Sequence, residues 1–336
     1  MTRTDVFCRL LRWSGFLALR ARQLRVQAGG RLTILAYHRV VERMPEDYPF
    51  DEEVLSCTRT EFEREMAFVR EVFDVISFAD LGGEGRPRGN PLIVTFDDGY
   101  KDNHDVALPV LEKLGLPATF FVTTGYIGSE QLPWWDEIAW VVKHARSSSL
   151  SVRAEGRTET LSVAGAERRK AATSFLLGLA KRVPDRERQA LLGELRAQAP
   201  EPEGAQGLMM TWVDVRDLVA RGMEIGSHTA SHAILGRVES DEELASELRE
   251  SKRRIEAETG RRVEAVSYPV GRASAVTDRV TRLTEEAGYR FGCVYEHGVN
   301  PIPLADRLRL RRVKAEVRED FHRFRAKALF PEWVRY

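Results

Sequence analysis

Apolar residues recur along the chain in short runs that are separated by amphipathic stretches and turn residues. The run 32–37, which follows Gly29 and Gly30, predicts the first strand. Short apolar runs bounded by turn residues are typical of strands that are buried on both faces of a parallel sheet. Further strands are predicted at 72–76, 92–96, 118–123, 223–226, 265–267, 291–295 and 308–313.

Predicted helices lie between these strands. Thr60 with Glu63 matches the capping box, in which a Thr or Ser side chain and a Glu side chain three residues later satisfy free N–H groups at a helix start. Ser240 with Glu243 matches the same pattern. Further helices are predicted to contain 109–114 and to start near Thr211.

The repeated order of strand then helix predicts an α/β fold with a mainly parallel sheet. Seven or eight strands favour closure into a barrel over an open sheet. The stretch from about 130 to 210 breaks the alternation, because it holds Trp134, Trp135 and Asp136 and then charged helical sequence at 167–197. We interpret this stretch as a helical insertion in a barrel domain of residues 31–330.

Residues 1–30 combine apolar side chains with six arginines, which predicts an amphipathic N-terminal helix. Their apolar runs are shorter than the roughly 20 residues of a membrane span. Arginines on both sides and the lack of a small-residue cleavage site argue against a signal peptide. Two interpretations stay open, a helix docked on the domain and a peripheral membrane anchor with its arginines at headgroup level. The apolar residues are Phe7, Leu10, Leu11, Trp13, Phe16, Leu17 and Leu19.

The overall composition is that of a folded globular protein, with 43% hydrophobic and 30% charged residues. Lys plus Arg and Asp plus Glu number 51 each, so no overall field attracts nucleic acid. Three cysteines without a CxxC pair predict neither a disulfide framework nor a thiolate zinc site. These features favour a reducing compartment, and we expect a cytoplasmic protein, with a position at the inner membrane face and export as open alternatives.

Two adjacent acids, Asp97 and Asp98, follow the predicted strand 92–96 and precede Gly99. Neighbouring carboxylates at a strand end repel each other unless a cation neutralises one or one keeps its proton. The alternative, a surface Asp-Asp-Gly turn, fits poorly directly after a buried strand. The pair therefore indicates a metal or acid–base site.

Two histidines, His228 and His232, follow the predicted strand 223–226. At i and i+4 they would share one face if the segment forms a helical turn. Two histidines and one carboxylate can hold zinc and leave a coordination position open. Together with Asp98 at another strand end of the same sheet, they predict a metal site.

A third segment, from Ser267 to Arg272, follows the predicted strand 265–267 and contains Pro269 and Gly271. Proline and glycine fix such a loop and can leave a backbone N–H free to face an oxyanion. The alternative is an ordinary turn that ends a strand.

These three segments, in this order, resemble the motifs of polysaccharide deacetylases of carbohydrate esterase family 4, over roughly residues 31–325. The resemblance implies a distorted (β/α)7 barrel. It also implies that Asp97 is the catalytic base, and that Asp98, His228 and His232 hold a divalent metal, which we expect to be Zn²⁺.

The chain departs from the family pattern at two places. Ser267 stands where the family commonly has an arginine that orients the base, and Arg311 or Arg312 is the predicted substitute, with Arg312 preferred. No clear match exists for the late histidine that serves as general acid, since His297 and His322 lie in dissimilar contexts. The early Tyr37-His38 pair resembles a motif of the exopolysaccharide deacetylase branch, so His38 is the predicted acid, and a structural histidine is its alternative.

The resemblance implies a hydrolase that removes N-acetyl groups from an amino sugar in a polysaccharide, an oligosaccharide or a lipid-linked glycan. The alternative within the same chemistry is hydrolysis of a non-carbohydrate amide or formamide. Two alternatives from other classes are a catalytically inactive carbohydrate-binding barrel and a scaffolding protein. Substrate and oxyanion contacts are predicted for Tyr100, Trp135, Tyr268, Pro269 and Val270.

Overall fold

Seven parallel strands close into a barrel in the computed structural model. Arg31–Tyr37 pairs with Leu310–Lys314 on one side and with Pro91–Phe96 on the other, which completes the ring. Every residue of Pro91–Phe96 is buried, because helices cover the outside and side chains fill the inside. The model thus confirms the predicted (β/α)7 barrel. In order, its strands are Arg31–Tyr37, Pro91–Phe96, Thr119–Val122, Glu224–Ser227, Ala265–Ser267, Phe291–His297 and Leu310–Lys314.

The structure describes most of the chain, and the statements below concern those residues. They are residues 16–26, 30–83, 89–154, 156–202, 205–315 and 320–332.

Short strands extend the barrel at its edges. Asn300–Pro301 runs antiparallel to the start of Arg31–Tyr37, and Asp74–Val75 runs parallel to Pro91–Phe96. Arg39–Val41 and Leu55–Thr58 form a separate parallel pair. The strand predicted at 72–76 is therefore only two residues long.

The helix Arg59–Val72 starts two residues before the predicted start. Its N-cap is Thr58, which forms a capping box with Glu61. The prediction of Thr60 and Glu63 was wrong because both threonines precede a glutamate by three residues, and the first of them ends the preceding strand.

The other predicted helix starts are confirmed. Thr211 caps Trp212–Ala220 in a capping box, and the Ser240 hydroxyl accepts hydrogen bonds from two backbone N–H groups of the next helix. A π-helical turn, Asn103–Ala107, leads into a helix that contains 109–114. The remaining outer helices are Phe78–Leu81, Leu108–Leu114, Asp241–Thr259, Asp278–Glu286 and Phe321–Leu329.

The stretch between Thr119–Val122 and Glu224–Ser227 contains an additional layer. It is largely helical over 167–197, as predicted. A hairpin was not predicted, because its second strand is polar and mostly exposed and so lacks an apolar alternation. The elements are Trp134–His144, the hairpin Ser149–Ala154 with Arg157–Ser162, and the helices Ala166–Ala180 and Asp185–Arg196.

An N-terminal helix, Phe16–Val26, packs against Arg59–Val72 and Phe321–Leu329. Leu17 and Ala21 are buried in this contact. The rest of the helix predicted over 1–30 lies outside the described residues. None of the helices in the described ranges is both long and apolar enough to cross a membrane.

Candidate active site

A layer of polar side chains lies inside the barrel, near the C-terminal ends of the strands. Ala265 and Leu310 belong to the apolar cluster that fills the barrel, and Ser267 and Arg312 follow two positions later on the same strands. Side chains two residues apart in a strand point to the same face, so both also point inward. Asp97, just past the end of its strand, meets them there.

Asp97 is held by a hydrogen bond at each carboxylate oxygen. Arg312 donates from Nη1 to Oδ1 at 2.8 Å, and the Ser267 hydroxyl donates to Oδ2 at 3.1 Å. Burial alone raises the pKa of Asp97, but the charges of Arg312 and His228 hold it below its usual range. Arg311, the alternative partner, has an exposed side chain and does not contact Asp97. Asp97 is thus an ionised carboxylate in a fixed orientation.

Three side chains converge beside Asp97. The Oδ1 atom of Asp98 lies 3.3 Å from Nε2 of His228 and 3.4 Å from Nε2 of His232. All three residues are buried, and their potential ligand atoms lie within 4.8 Å of one another. Two imidazole nitrogens and one carboxylate oxygen at this spacing fit a divalent transition metal. The structure brings the predicted ligand set together.

The hydrogen bonds of His228 suit a metal ligand. Its Nδ1–H donates to the carbonyl of Ser267 at 2.7 Å, which leaves the lone pair of Nε2 directed at Asp98. A lone pair facing a carboxylate is unfavourable without a proton or a cation between them. Burial lowers the pKa of His228, but the charges of Asp97 and Asp98 raise it overall, so the site attracts positive charge.

His232 has a different second contact. The indole N–H of Trp134, which can only donate, lies 3.1 Å from Nδ1 of His232. The neutral ring therefore carries its hydrogen on Nε2 and must change its tautomer to bind a metal through that nitrogen. Burial lowers the pKa of His232 to about 4, so the ring is neutral near pH 7. Sequence reasoning placed Trp134 only within the insertion and missed this contact.

Strained backbone is concentrated in the three motif segments. Among the described residues, each non-glycine residue with positive φ lies in one of them: Asp98, Thr229, His232 and Val270. Such conformations cost about 1–3 kcal/mol each and persist where the surroundings enforce them, often at functional sites. Gly99 also has a φ of 93°, and a Cβ atom there would lie 2.8 Å from Ile127.

The segment between the two histidines is an irregular loop, which corrects the predicted helical turn. Positive φ at Thr229 and His232 is incompatible with a right-handed helix. Glu247 fixes the loop, because its carboxylate accepts hydrogen bonds from the N–H groups of Ala230 and Ser231. The imidazole rings still meet, with their centroids 4.8 Å apart.

His38 lines the same pocket, just past the end of the strand that pairs with the strand preceding Asp97. Its backbone N–H donates to the Ser56 hydroxyl at 2.9 Å, and its carbonyl accepts from the Asn103 amide at 2.6 Å. The ring packs edge-on against Tyr295, and its nitrogens have no hydrogen-bond partner in the described part of the chain. Burial lowers the pKa of His38 despite the nearby charges of Asp98 and Asp97.

Tyr100, one of the predicted substrate contacts, does not line the pocket. This residue is fully buried below the pocket, where its hydroxyl donates to Asp136 at 2.6 Å and accepts from the Trp135 indole at 2.7 Å. Burial raises the pKa of Asp136 to about 7. Trp135 does line the pocket, with its ring centroid 4.2 Å from that of His232. Tyr100 therefore supports Trp135 and does not line the pocket.

The third segment forms part of the wall through Tyr268 and Val270. Pro269 is buried away from the pocket and accepts a hydrogen bond from the Gly271 N–H, which corrects its prediction as a substrate contact. The backbone N–H of Val270 donates no hydrogen bond within the described residues, so it is available to a ligand.

The resulting pocket is small, about 160 Å³, and is lined by the acids and histidines described above. Lys181, Arg272 and Lys314 are the cations at its rim. His297 and His322 do not line it; the ring of His297 bonds instead to the Pro331 carbonyl. Sequence reasoning missed Asn103, whose side-chain amide donates to the His38 carbonyl. The available signal was its position as a polar residue shortly after Asp97 and Asp98.

Comparison with known proteins agrees with this architecture. A putative polysaccharide deacetylase, YxkH, from Bacillus subtilis is 22% identical over 218 residues, which are 65% of this chain and 49% of that protein. The chain thus spans about half the length of this curated relative.

Two solved structures share the fold. The Streptococcus pyogenes deacetylase PplD in complex with acetate has a TM-score of 0.56 at 17% identity, and the match covers 86% of this chain and 93% of that one. A de-N-acetylase from Aggregatibacter actinomycetemcomitans has a TM-score of 0.55 at 16% identity, with 89% and 100% covered. The family model described as polysaccharide deacetylase matches residues 84–292, more than half of the chain, and the chain therefore belongs to the polysaccharide deacetylase family.

Proposed function

We propose that the protein is a metal-dependent hydrolase that removes N-acetyl groups from an amino sugar of a glycan. One observation carries the proposal: a buried carboxylate, Asp97, is fixed at both oxygens beside a converging Asp98, His228 and His232. An oriented base next to a set of metal ligands is the arrangement that activates water for attack on an amide.

The ligands of the metal are Asp98, His228 and His232. Their mixed nitrogen and oxygen donors suit Zn²⁺ and other first-row divalent ions. When bound, such an ion polarises the amide carbonyl and lowers the pKa of water toward neutrality.

Asp97 is the general base. Arg312 and Ser267 occupy one lone pair on each oxygen and hold the carboxylate plane still, while further lone pairs remain to accept a proton from the attacking water. The lowered pKa keeps Asp97 ionised near neutral pH, as a base must be before the reaction.

His38 is the general acid, which protonates the departing amine. Burial lowers its pKa, so the ring must take up a proton before this step, and the charges of Asp98 and Asp97 favour that uptake. His38 lines the same pocket as the ligands, and its free ring nitrogens can reach a substrate without breaking an existing hydrogen bond. The free N–H of Val270 is a donor for the carbonyl oxygen as negative charge develops on it.

Membership of the family and the size of the pocket support the assignment of a glycan substrate. A pocket of about 160 Å³ suits a small acyl group better than a large one. The indole of Trp135 offers an apolar face at the wall. Of the two solved proteins that share the fold, PplD is a deacetylase in complex with acetate, and the Aggregatibacter actinomycetemcomitans protein is a de-N-acetylase.

Acetate release tests the proposal directly. The purified protein with added Zn²⁺ is expected to release acetate from N-acetylglucosamine oligomers, and a chelator is expected to stop the release. Simple N-acetyl amines and formamides serve as parallel substrates. If these are hydrolysed and the oligomers are not, the glycan assignment is wrong; if nothing is hydrolysed with any first-row metal, the hydrolase proposal is wrong.

A further inference from the structure

A groove on the outside of the barrel lies between the N-terminal helix, the helix Arg59–Val72 and the last helix. Its volume is about 530 Å³. We call it the arginine groove, because three arginines and two aromatic rings line it: Arg22, Arg64, Arg325, Phe68 and Phe321.

Two guanidinium groups of the arginine groove share one aromatic ring. The Arg64 guanidinium lies 4.0 Å from the ring centroid of Phe321, and that of Arg325 lies 5.8 Å from the same centroid. Arg325 also lies 5.2 Å from the centroid of Phe68. Stacking on the rings holds the guanidinium planes in place and uses none of their N–H donors, while Arg64 is exposed and Arg325 is half-buried.

In the described part of the chain, these two guanidinium groups have no carboxylate partner, unlike those of Arg31 and Arg309. Neither Arg64 nor Arg325 forms an ion pair within the described residues, and Nε of Arg325 is buried without a hydrogen-bond acceptor. By contrast, Arg31, which contacts the C-terminal end of the last helix, pairs with Glu332 at 3.0 Å. Glu71 also lines the groove, but burial and the charge of Arg64 still lower the pKa of Arg325. An anion would relieve this repulsion.

We propose that the arginine groove binds the phosphate of an anionic phospholipid and docks this face of the protein on a membrane surface. Guanidinium groups bind phosphate oxygens bidentately, and basic clusters recognise anionic lipid headgroups.

The neighbouring sequence favours a lipid over a free phosphate. Residues 1–30 contain six arginines and a single acid, Asp5, interleaved with large apolar residues. On the described helix, Leu19 is 59% exposed between the buried Leu17 and the groove residue Arg22. Basic and apolar side chains on one surface are typical of helices that lie in a membrane interface, whereas a free phosphate needs no apolar neighbour.

Vesicle sedimentation with the full-length chain tests this proposal independently of catalysis. The wild type is expected to sediment with phosphatidylcholine vesicles that contain phosphatidylglycerol, and to remain in solution with phosphatidylcholine alone. Replacing Arg64→Gln and Arg325→Gln together is expected to lower the partition coefficient roughly thirtyfold, since each basic residue contributes about fivefold at an anionic surface.

Two further variants control for charge and folding. Arg64→Lys with Arg325→Lys keeps the charge and should retain most of the binding. Arg253→Gln with Arg282→Gln removes the same charge from exposed ion pairs elsewhere and should bind like the wild type. Circular dichroism melting checks that each variant is folded.

Three outcomes would overturn the proposal. The wild type could ignore phosphatidylglycerol, the Gln pair could bind as the wild type does, or the control pair could lose binding equally. Calorimetry with inorganic phosphate distinguishes a soluble phosphate from a lipid headgroup as the ligand of the groove. If phosphate binds in an Arg64-dependent way while anionic vesicles do not, the groove is a site for a soluble phosphate and the lipid assignment is wrong.

Discussion

The residues of the pocket differ in how firmly their side chains are held. Asp97 and His228 each have fixed hydrogen-bond partners inside the barrel. By contrast, only the backbone of His38 is anchored, and its ring nitrogens are free within the described residues. A ligand and a base must be positioned before the substrate arrives, whereas an acid can complete its hydrogen bonding with the substrate itself.

The largest effect is expected for a substitution at a proposed metal ligand. Asp98→Asn is expected to reduce both bound metal and acetate release to background, because the remaining two histidines lack the anionic donor. Elemental analysis and acetate release on the same preparation measure this. Asp217→Asn, on the surface, should behave like the wild type. Full activity in Asp98→Asn would remove Asp98 from the ligand set.

A substitution of the loosely held His38 should lower catalysis and leave metal binding unchanged. His38→Gln is expected to lower kcat by roughly 10²- to 10⁴-fold, the usual contribution of a general acid, without changing metal content. The His38→Gln variant should hydrolyse an aryl acetate nearly as fast as the wild type does, because a phenolate leaves without being protonated.

His322→Gln serves as the matched control, because this histidine lies on the last helix and does not line the pocket. If His38→Gln slows the aryl ester as much as the amide, His38 has a structural role and is not the acid.

The smallest effect is expected at Trp134, which contacts His232 but not His228, the other proposed metal-ligating histidine. Trp134→Phe removes the donor that holds His232 in the tautomer unsuited to metal binding. Because a hydrogen bond contributes about 1 kcal/mol, metal affinity should rise roughly fivefold. Competition with a chromophoric chelator measures the change. A loss of affinity would mean that the indole supports the metal-bound ring.

Much of the barrel and the ligand set could be predicted, because buried parallel strands are nearly continuous apolar runs and their ends converge. The inward position of Asp97, Ser267 and Arg312 also follows from strand periodicity once the register is known. The register itself depends on long-range pairing, which the local pattern does not contain. This is why sequence reasoning left Arg311 and Arg312 as alternatives.

Other features depend on tertiary contacts that have no local signature. The two histidines have the spacing of a helical turn, but Glu247 on the following α-helix stabilises another loop conformation. Tyr100 is an aromatic residue of the kind that packs on sugar rings, yet its hydroxyl is buried and donates to Asp136 of the inserted layer. The second strand of the hairpin, Arg157–Ser162, shows no apolar alternation.

The central claim is that Asp97 is the base and Asp98 belongs to the metal, although the two are adjacent in the chain. Metal content and acetate release measured together on Asp97→Asn test it most directly. The account predicts wild-type metal content and a kcat lowered by roughly 10²- to 10⁴-fold. Retained turnover, or loss of the metal together with turnover, would contradict it.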